Sequence, residues 1–503
     1  MRGVAKMGNH GPAASRHSRT RKRPESGPSA QEMQKVPRMT DTTWDVIVVG
    51  GGPAGETAAG ECARRGLSTS LVETERFGGE CSYWACVPSK VLLRPLEVAW
   101  ESAHVPALAG ALQGRLDVTA LMRTRDEAIS GLDDAGQVEW VENAGITPLR
   151  GRGRLVGERR VEIEAADGQR TVHEARRAVI LSTGSRPRLP PVPGLEDAKP
   201  WTNREGTHAG VVPGRLVVIG AGPVACELAQ AWSGLGAQVT LLVRGDALLT
   251  RMEPFVGEQI LERFRAGGID VRLSTEARKV MREQDGTVRL ALSDGSELEA
   301  DALLVATGRK PATDGLGLES VGVDASQPVE VDDRLRVRGA AGDWLYAVGD
   351  VNGRTLLTHM GKYQGWVAAA VIAGEDSALR ARDAIPQVLF THPQAASVGL
   401  TLERARRNGL RARATKVPFS SAAGTQLMGK GLKGEAQLVI DEEREVLVGA
   451  TFIGPFAGEL LHGATIAVVG EVPLSTLWHA VPSFPTVSEV WLRLLEADRD
   501  REG

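Results

Sequence analysis

One pattern occurs twice in this chain and leaves little freedom in what it can fold into: a β-branched strand, a glycine-rich turn, a helix and a second strand. In the first copy Asp45-Val46-Ile47-Val48-Val49 is a nearly continuous apolar run, as expected of a strand buried on both faces of a parallel sheet. It leads into Gly50-Gly51-Gly52-Pro53-Ala54-Gly55, which contains G-x-G-x-x-G, and then into the helical pattern of Glu56 to Arg65. The next strand, Ser70-Leu71-Val72, ends on Glu73, about 20 residues after the turn. Glycines there let the backbone approach a pyrophosphate, the helix N-terminus offers N–H donors, and the acid accepts a ribose hydroxyl.

The second copy begins with Arg215-Leu216-Val217-Val218-Ile219 and turns through Gly220-Ala221-Gly222-Pro223-Val224-Ala225 into a helix carrying Glu227 and Trp232. Ala225 stands at the third glycine, an accepted variant. The following strand, Gln238 to Val243, ends on Arg244 where an acid would otherwise stand. A guanidinium suits a ribose 2′-phosphate, so the reading favours NADPH over NADH; the alternative is an Arg244 that faces solvent. Two Thr-Gly turns, Thr183-Gly184 and Thr307-Gly308, each close an apolar strand. Trp344-Leu345-Tyr346-Ala347-Val348-Gly349-Asp350 is another strand with an acid at its exit. That acid either binds a cofactor polyol or caps the helix that follows.

Two of the four cysteines stand in Gly78-Gly79-Glu80-Cys81-Ser82-Tyr83-Trp84-Ala85-Cys86-Val87-Pro88-Ser89-Lys90, with four residues between them. Residues five apart on an ideal helix are separated by about 7.5 Å along its axis, whereas a disulfide needs Cα atoms within roughly 4.4–6.8 Å. Pairing Cys81 with Cys86 therefore requires a distorted backbone, with Cys81 in or near an irregular first turn. Gly78 and Gly79 permit such an approach and Pro88 suits an early helical position. The positive end of the helix favours a thiolate. On these residues alone a redox dithiol and a pair of buried inert thiols both remain open.

At 503 residues the chain has room for several domains. A formal charge of −3 indicates no general attraction to nucleic acid. Sparse cysteine fits a reducing, cytoplasmic setting, and no apolar run of about 18 residues is present to span a membrane. Residues 1–43 differ from the rest. Arg16, Arg19, Arg21, Lys22 and Arg23 lie among Ser, Pro, Gly and His, and the expectation there is a disordered basic tail. A nucleic-acid-binding tail and a transit peptide are the alternatives.

In this order the segments Gly50–Gly55, Cys81–Lys90, Gly220–Glu227, Ala347–Asp350 and Phe390-Thr391-His392-Pro393 resemble the class I pyridine nucleotide–disulfide oxidoreductases. Dihydrolipoamide dehydrogenase, glutathione reductase and mercuric reductase are members. The resemblance covers Trp44 to about Glu496. It implies an α/β fold with two Rossmann-like dinucleotide-binding domains, for FAD and NAD(P), and a C-terminal α+β dimerisation domain. The expected division is an FAD-binding domain over 44–200 and 317–384, an NAD(P)-binding domain over 201–316, and a dimerisation domain over 385–503.

Roles carried over by the resemblance assign Gly50, Gly52, Pro53, Ala54, Gly55 and Glu73 to the FAD ADP moiety. Thr183, Gly184 and Asp350 go to the rest of the flavin cofactor, Asp350 facing its ribityl chain. Gly220, Gly222, Pro223, Val224, Arg244 and Gly308 go to the nicotinamide nucleotide. Cys86 resembles the thiol that faces the flavin, and Cys81 the interchange thiol that faces the acceptor. Lys90 matches the lysine beside the flavin, paired with an acid at the position of Glu227.

The family's C-terminal His-Pro-Thr-x-Ser-Glu segment supplies an acid/base His from the partner subunit. Here it reads Phe484-Pro485-Thr486-Val487-Ser488-Glu489. Glu489 matches, as a further catalytic candidate, but Phe484 has no proton to move. His479, five residues earlier, would need a different backbone path to serve. No cysteine follows Cys226, so the paired C-terminal thiols of mercuric reductase are missing. The expected function is transfer of hydride from NAD(P)H through flavin and a Cys81–Cys86 disulfide to a disulfide-type acceptor, in a homodimer. An NAD(P)H-dependent quinone or diaphorase-type reductase is the alternative that Phe484 raises; a non-catalytic flavoprotein kept for its dimer surface is a third.

Overall fold

The strand Thr43–Val49 runs through the middle of a sheet, with parallel neighbours Thr69–Glu73 on one side and Arg170–Leu181 on the other. This is a computed structural model, and it describes residues 42–108, 116–380 and 382–501. All of the expected basic tail except Thr42 and Thr43 lies outside the described residues. Ile146–Arg150 and Leu345–Ala347 extend the sheet outward, again in parallel. Val46, Ile47 and Val48 are fully buried, each worth about 1.5–3 kcal/mol relative to exposure. The helix Pro53–Arg64 packs against Thr358–Ile372 so closely that a Cβ on Gly365 would meet the Ala54 carbonyl oxygen at 2.7 Å. Residues from both ends of this region, among them Trp44, Leu181, Leu318, Val348 and Val367, share one apolar core.

Between those ends a second parallel sheet forms in the order Asp270–Arg272, Gln238–Leu242, Arg215–Ile219, Ala302–Val305. Its helix, Pro223–Gly234, buries Cys226, Leu228, Ala229 and Trp232. A three-stranded antiparallel sheet over 277–300 covers it. Leu195 and Ala198 pack into this second unit, while Leu316 accepts the Leu155 N–H and joins the first core.

The C-terminal region is a five-stranded antiparallel sheet, Gln387–Leu389, Ala395–Gly399, Val446–Ile453, Glu435–Asp441 and Ala412–Pro418 in spatial order. The helices Ala457–Val469 and Val490–Arg499 cover it. The architecture is thus α/β, two Rossmann-like units followed by an α+β domain. Among the described residues no helix is long and apolar enough to cross a membrane.

Candidate functional site

Both glycine-rich turns end their strands as open cradles. In the first, a Cβ on Gly55 would lie 1.9 Å from the Gly50 carbonyl oxygen, whereas Gly52 faces open space. No side chain caps the helix at Gly52, and Pro53 occupies its first turn, so the remaining N–H groups point outward, as a pyrophosphate requires. In the second, a Cβ on Gly220 would meet the Ala306 carbonyl oxygen at 2.5 Å. Ala225, fully buried in the core of this unit, carries its methyl where the first turn has glycine, 3.1 Å from the position a Cβ on Gly220 would take. Pro223 and Val224 are exposed at its rim.

Glu73 is partly withdrawn from water, and burial raises its pKa against the N–H groups that lower it. Each of its oxygens takes one N–H at 2.7 Å, from Gly51 and from Glu75. A carboxylate has about four acceptor sites, so lone pairs remain for a ribose. Asp350 follows its strand through Gly349, which lies against Ala54. Burial raises its pKa too, opposed by Ser185, whose hydroxyl donates to it at 2.5 Å. Thr183 donates to the Ala312 carbonyl, and Gly184 (φ 73°) leaves open space beside it. These residues fit an FAD laid from Glu73 to Asp350. In the second unit Gly308 closes the sheet end beside Arg188, and Arg244 is exposed after the Gln238–Leu242 strand.

The backbone between the cysteines is distorted, as a Cys81–Cys86 pairing would require. Gly79–Tyr83 is a five-residue helix, Trp84 and Ala85 leave helical geometry, and a new helix starts at Cys86 and runs to His104. Cys81 and Cys86 are free thiols. The Cys81 hydrogen bond pulls the Cys86 thiol down, to about 6; burial opposes the shift, and the Thr358 hydroxyl and Lys90 ammonium assist it. Cys81 moves the other way, pushed far above an ordinary thiol by its bond with Cys86 and by burial. One thiolate, placed on Cys86 at a helix N-terminus, satisfies both.

Lys90, one turn along that helix, donates to Glu227 at 2.8 Å. Glu227 is only 5% exposed and accepts the Phe390 N–H with its other oxygen at 3.0 Å, while Lys90 Nζ sits 4.7 Å from the Phe390 ring centre. The helix that starts at Cys86, the second nucleotide unit and the Phe390-Thr391-His392-Pro393 segment thus meet at one ion pair. Glu489 is elsewhere. It is buried in the C-terminal region, accepts the Gly424 N–H at 3.1 Å and lies 4.0 Å from Arg493. Its polar partners within one chain do not include the thiols. Phe484 is 77% exposed.

Sequence reading missed Thr358, whose hydroxyl lies 3.6 Å from the Cys86 sulfur. It also missed a cluster behind the dithiol formed by Glu80, Ser185, Asn203, Arg204 and Arg309. Neither follows a motif; both arise from segments more than a hundred residues apart.

Comparison with known proteins agrees with this geometry. The family described as pyridine nucleotide-disulphide oxidoreductase matches residues 44–373, and its dimerisation domain matches 385–494. A dihydrolipoyl dehydrogenase of Chlamydia pneumoniae is 33% identical, over 89% of this chain and 95% of that one. A mercuric reductase of Acidithiobacillus ferrooxidans is 35% identical, over 86% of this chain and 78% of its own. Among solved structures, LpdA of Mycobacterium tuberculosis superposes with a TM-score of 0.80 at 25% identity, over 92% of this chain and 99% of that one. The HOCl-induced flavoprotein disulfide reductase RclA of Escherichia coli shares the fold, with a TM-score of 0.79 at 22% identity over 90% and 99%. With both nucleotide cradles, the intervening dithiol and the C-terminal domain in the family's order, the chain belongs to the FAD- and NAD(P)H-dependent pyridine nucleotide–disulphide oxidoreductases.

Proposed function

We propose that this enzyme oxidises NADPH and passes two electrons through a Cys81–Cys86 disulfide to a small disulfide-type acceptor. The observation that carries this reading is a pair of free thiols set across a broken helix one turn from the Lys90–Glu227 ion pair, with Cys86 lowered and Cys81 raised in keeping with it. Bound FAD would supply the two-electron relay between nicotinamide and thiol that side chains lack. Gly50, Gly52, Pro53, Ala54, Gly55 and Glu73 would hold its ADP end, with Thr183, Gly184 and Asp350 along the remainder. Gly220, Gly222, Pro223, Val224, Arg244 and Gly308 would hold the dinucleotide. Lys90, kept in place by Glu227, puts a fixed positive charge beside the thiolate. Cys86 keeps the charge, and Cys81 stays protonated until an acceptor arrives.

Anaerobic NADPH titration of the oxidised, FAD-loaded enzyme tests this. One equivalent should expose two new alkylatable thiols, found by peptide mapping at Cys81 and Cys86. NADPH oxidation that exposes no thiol overturns the dithiol and leaves flavin-only chemistry. That outcome is the second reading, reduction of quinones, and Phe484 favours it because it brings no proton carrier.

For the nicotinamide, Arg244→Glu should shift the NADPH/NADH ratio of kcat/KM toward NADH by about 10–100-fold, as loss of one charge-assisted bond implies. An unchanged ratio would show Arg244 to be solvent-facing only. The dimerisation domain supports assembly as a homodimer, and the exposed apolar side chains Ile466, Val469, Val481 and Phe484 are suited to such a surface.

A further inference from the structure

The dithiol segment cannot hold its own shape. A five-residue helix is far below the roughly 12–15 residues at which isolated helices become even marginal, and Gly79–Tyr83 stops at Trp84 with φ −135° and ψ 4°. Ala85 then adopts φ −136° and ψ −94° before the next helix starts. A break of this kind leaves carbonyls without helical partners. The Trp84 carbonyl finds two donors outside the segment, Asn203 Nδ2 at 2.9 Å and Thr207 Oγ1 at 3.1 Å. Both belong to the short helix Asn203–His208 at the start of the second nucleotide unit.

The same helix grips the segment from its other end. Arg204 Nε donates to Glu80 Oε1 at 2.5 Å, and Asn203 Nδ2 donates to Glu80 Oε2 at 2.8 Å. The Arg204 guanidinium lies 4.0 Å from the centre of the Trp84 ring and also forks onto Glu75 at 3.1 and 3.0 Å. Arg76 stands 5.5 Å from that ring, and Trp84 is 7% exposed. Glu80 adjoins Cys81, and each of its oxygens is held by a guanidinium or amide donor. Arg309 joins this cluster to the cofactor side. It donates to Asn203 Oδ1 at 2.9 Å and to the Ser185 hydroxyl at 2.7 Å, and Ser185 donates to Asp350.

We propose that Glu80, Asn203 and Arg204 form a clamp that holds Cys81 and Cys86 in the arrangement needed to close and open their disulfide, with Arg309 fixing the clamp to Asp350. These are positioning residues, acting through the Glu80 side chain and the Trp84 ring and carbonyl. The inference rests on Cys81 and Cys86 being the redox pair. Its consequence is a higher effective concentration of one thiol at the other, so loosening the clamp makes the disulfide easier to reduce.

The test is equilibration of the full-length, FAD-loaded enzyme with mixtures of reduced and oxidised dithiothreitol, followed by alkylation and peptide mapping of Cys81 and Cys86. Each dithiothreitol closes its own ring and gives up two electrons and two protons; the Cys81–Cys86 bond breaks and yields two thiols. Arg204→Leu should raise the reduced-to-oxidised ratio at fixed buffer about tenfold, which is about 30 mV for a two-electron couple. Glu80→Gln keeps the Asn203 bond and loses the charge pairing, so it should move the ratio the same way by less. Arg204→Lys should recover part of the shift. A ratio within twofold of wild type in both Arg204→Leu and Glu80→Gln overturns the clamp, whatever happens to thermal stability. Should Arg204→Leu fail to fold, Glu80→Gln decides alone. A wild-type enzyme that forms no Cys81–Cys86 disulfide overturns the dithiol reading and the clamp with it, which separates that failure from a failure of the clamp alone.

Discussion

Replacing Phe484 with His is expected to raise NADPH-driven reduction of a small disulfide such as lipoamide by about 10²–10⁴-fold, the usual contribution of one positioned acid/base group. The need for that group is visible in the dithiol. Cys81 is held far above an ordinary thiol by its bond to Cys86 and by burial, so it must lose a proton before it can attack an acceptor. Glu80, its neighbour in sequence, is held by Arg204 and Asn203. The resemblance places an imidazole of the partner subunit at the Phe484 position, and the turn that would carry it is already built. Thr486 donates to the Ser483 carbonyl at 2.7 Å, and buried Glu489 anchors the following turn to the Gly424 N–H. A new side chain at the exposed 484 position therefore needs no new backbone. The measurement is steady-state kcat/KM with lipoamide and with a quinone, for wild type and variant in parallel. Quinone reduction should stay within about twofold, since its electrons need no thiol proton transfer. If lipoamide turnover is already fast in the wild type, or does not rise in the variant, position 484 is not where the proton is handled.

The parts of the molecule legible in its sequence are those written locally. Arg215–Ile219 is a strand over that whole span, because a central parallel strand buried on both faces reads as a near-continuous apolar run, here Leu216 to Ile219. The turns at Gly50 and Gly220 follow from backbone crowding that admits no side chain. The broken helix between Cys81 and Cys86 is what pairing of the two would require, given the mismatch between helical rise and disulfide reach. The Lys90–Glu227 contact came through the family resemblance, since nothing local links residues so far apart. Thr358 and the Glu80–Asn203–Arg204–Arg309 cluster had no such route. Their side chains meet only when the 79–86, 185, 203–207, 309 and 350–358 segments have been brought together, and no periodicity or spacing encodes that meeting. Arg204 alone reads as one more surface charge; its function in the clamp depends on the Trp84 ring beneath it.

Alkylation of Cys86 in the reduced enzyme is expected to be half-maximal near pH 6, against about 8.5 for a free cysteine. The sign follows from which form is reactive. Thiolate is the nucleophile, it accumulates above the pKa, and a lowered pKa moves reactivity to lower pH. The hydrogen bond from Cys81 is the largest cause of the lowering, so Cys81→Ala should carry the profile of Cys86 well upward, toward the ordinary thiol range. Thr358→Val should also move it upward, by about one pH unit, the low end of what one hydrogen bond to a charged group is worth. The low end applies because the sulfur–oxygen separation is 3.6 Å. Near pH 6 that variant would hold several-fold less thiolate than the wild type, with the difference closing above pH 8. Cys81, followed in the same peptide maps, should react only at higher pH than Cys86, because its own thiol is raised. A Cys86 profile centred near 8.5 in the wild type would mean that the two thiols do not share a proton, and the division of labour between them would fall. A shifted Cys86 that ignores Thr358→Val would leave the stabilisation to Cys81 and Lys90, and Thr358 would be a neighbour of the thiolate without being its partner.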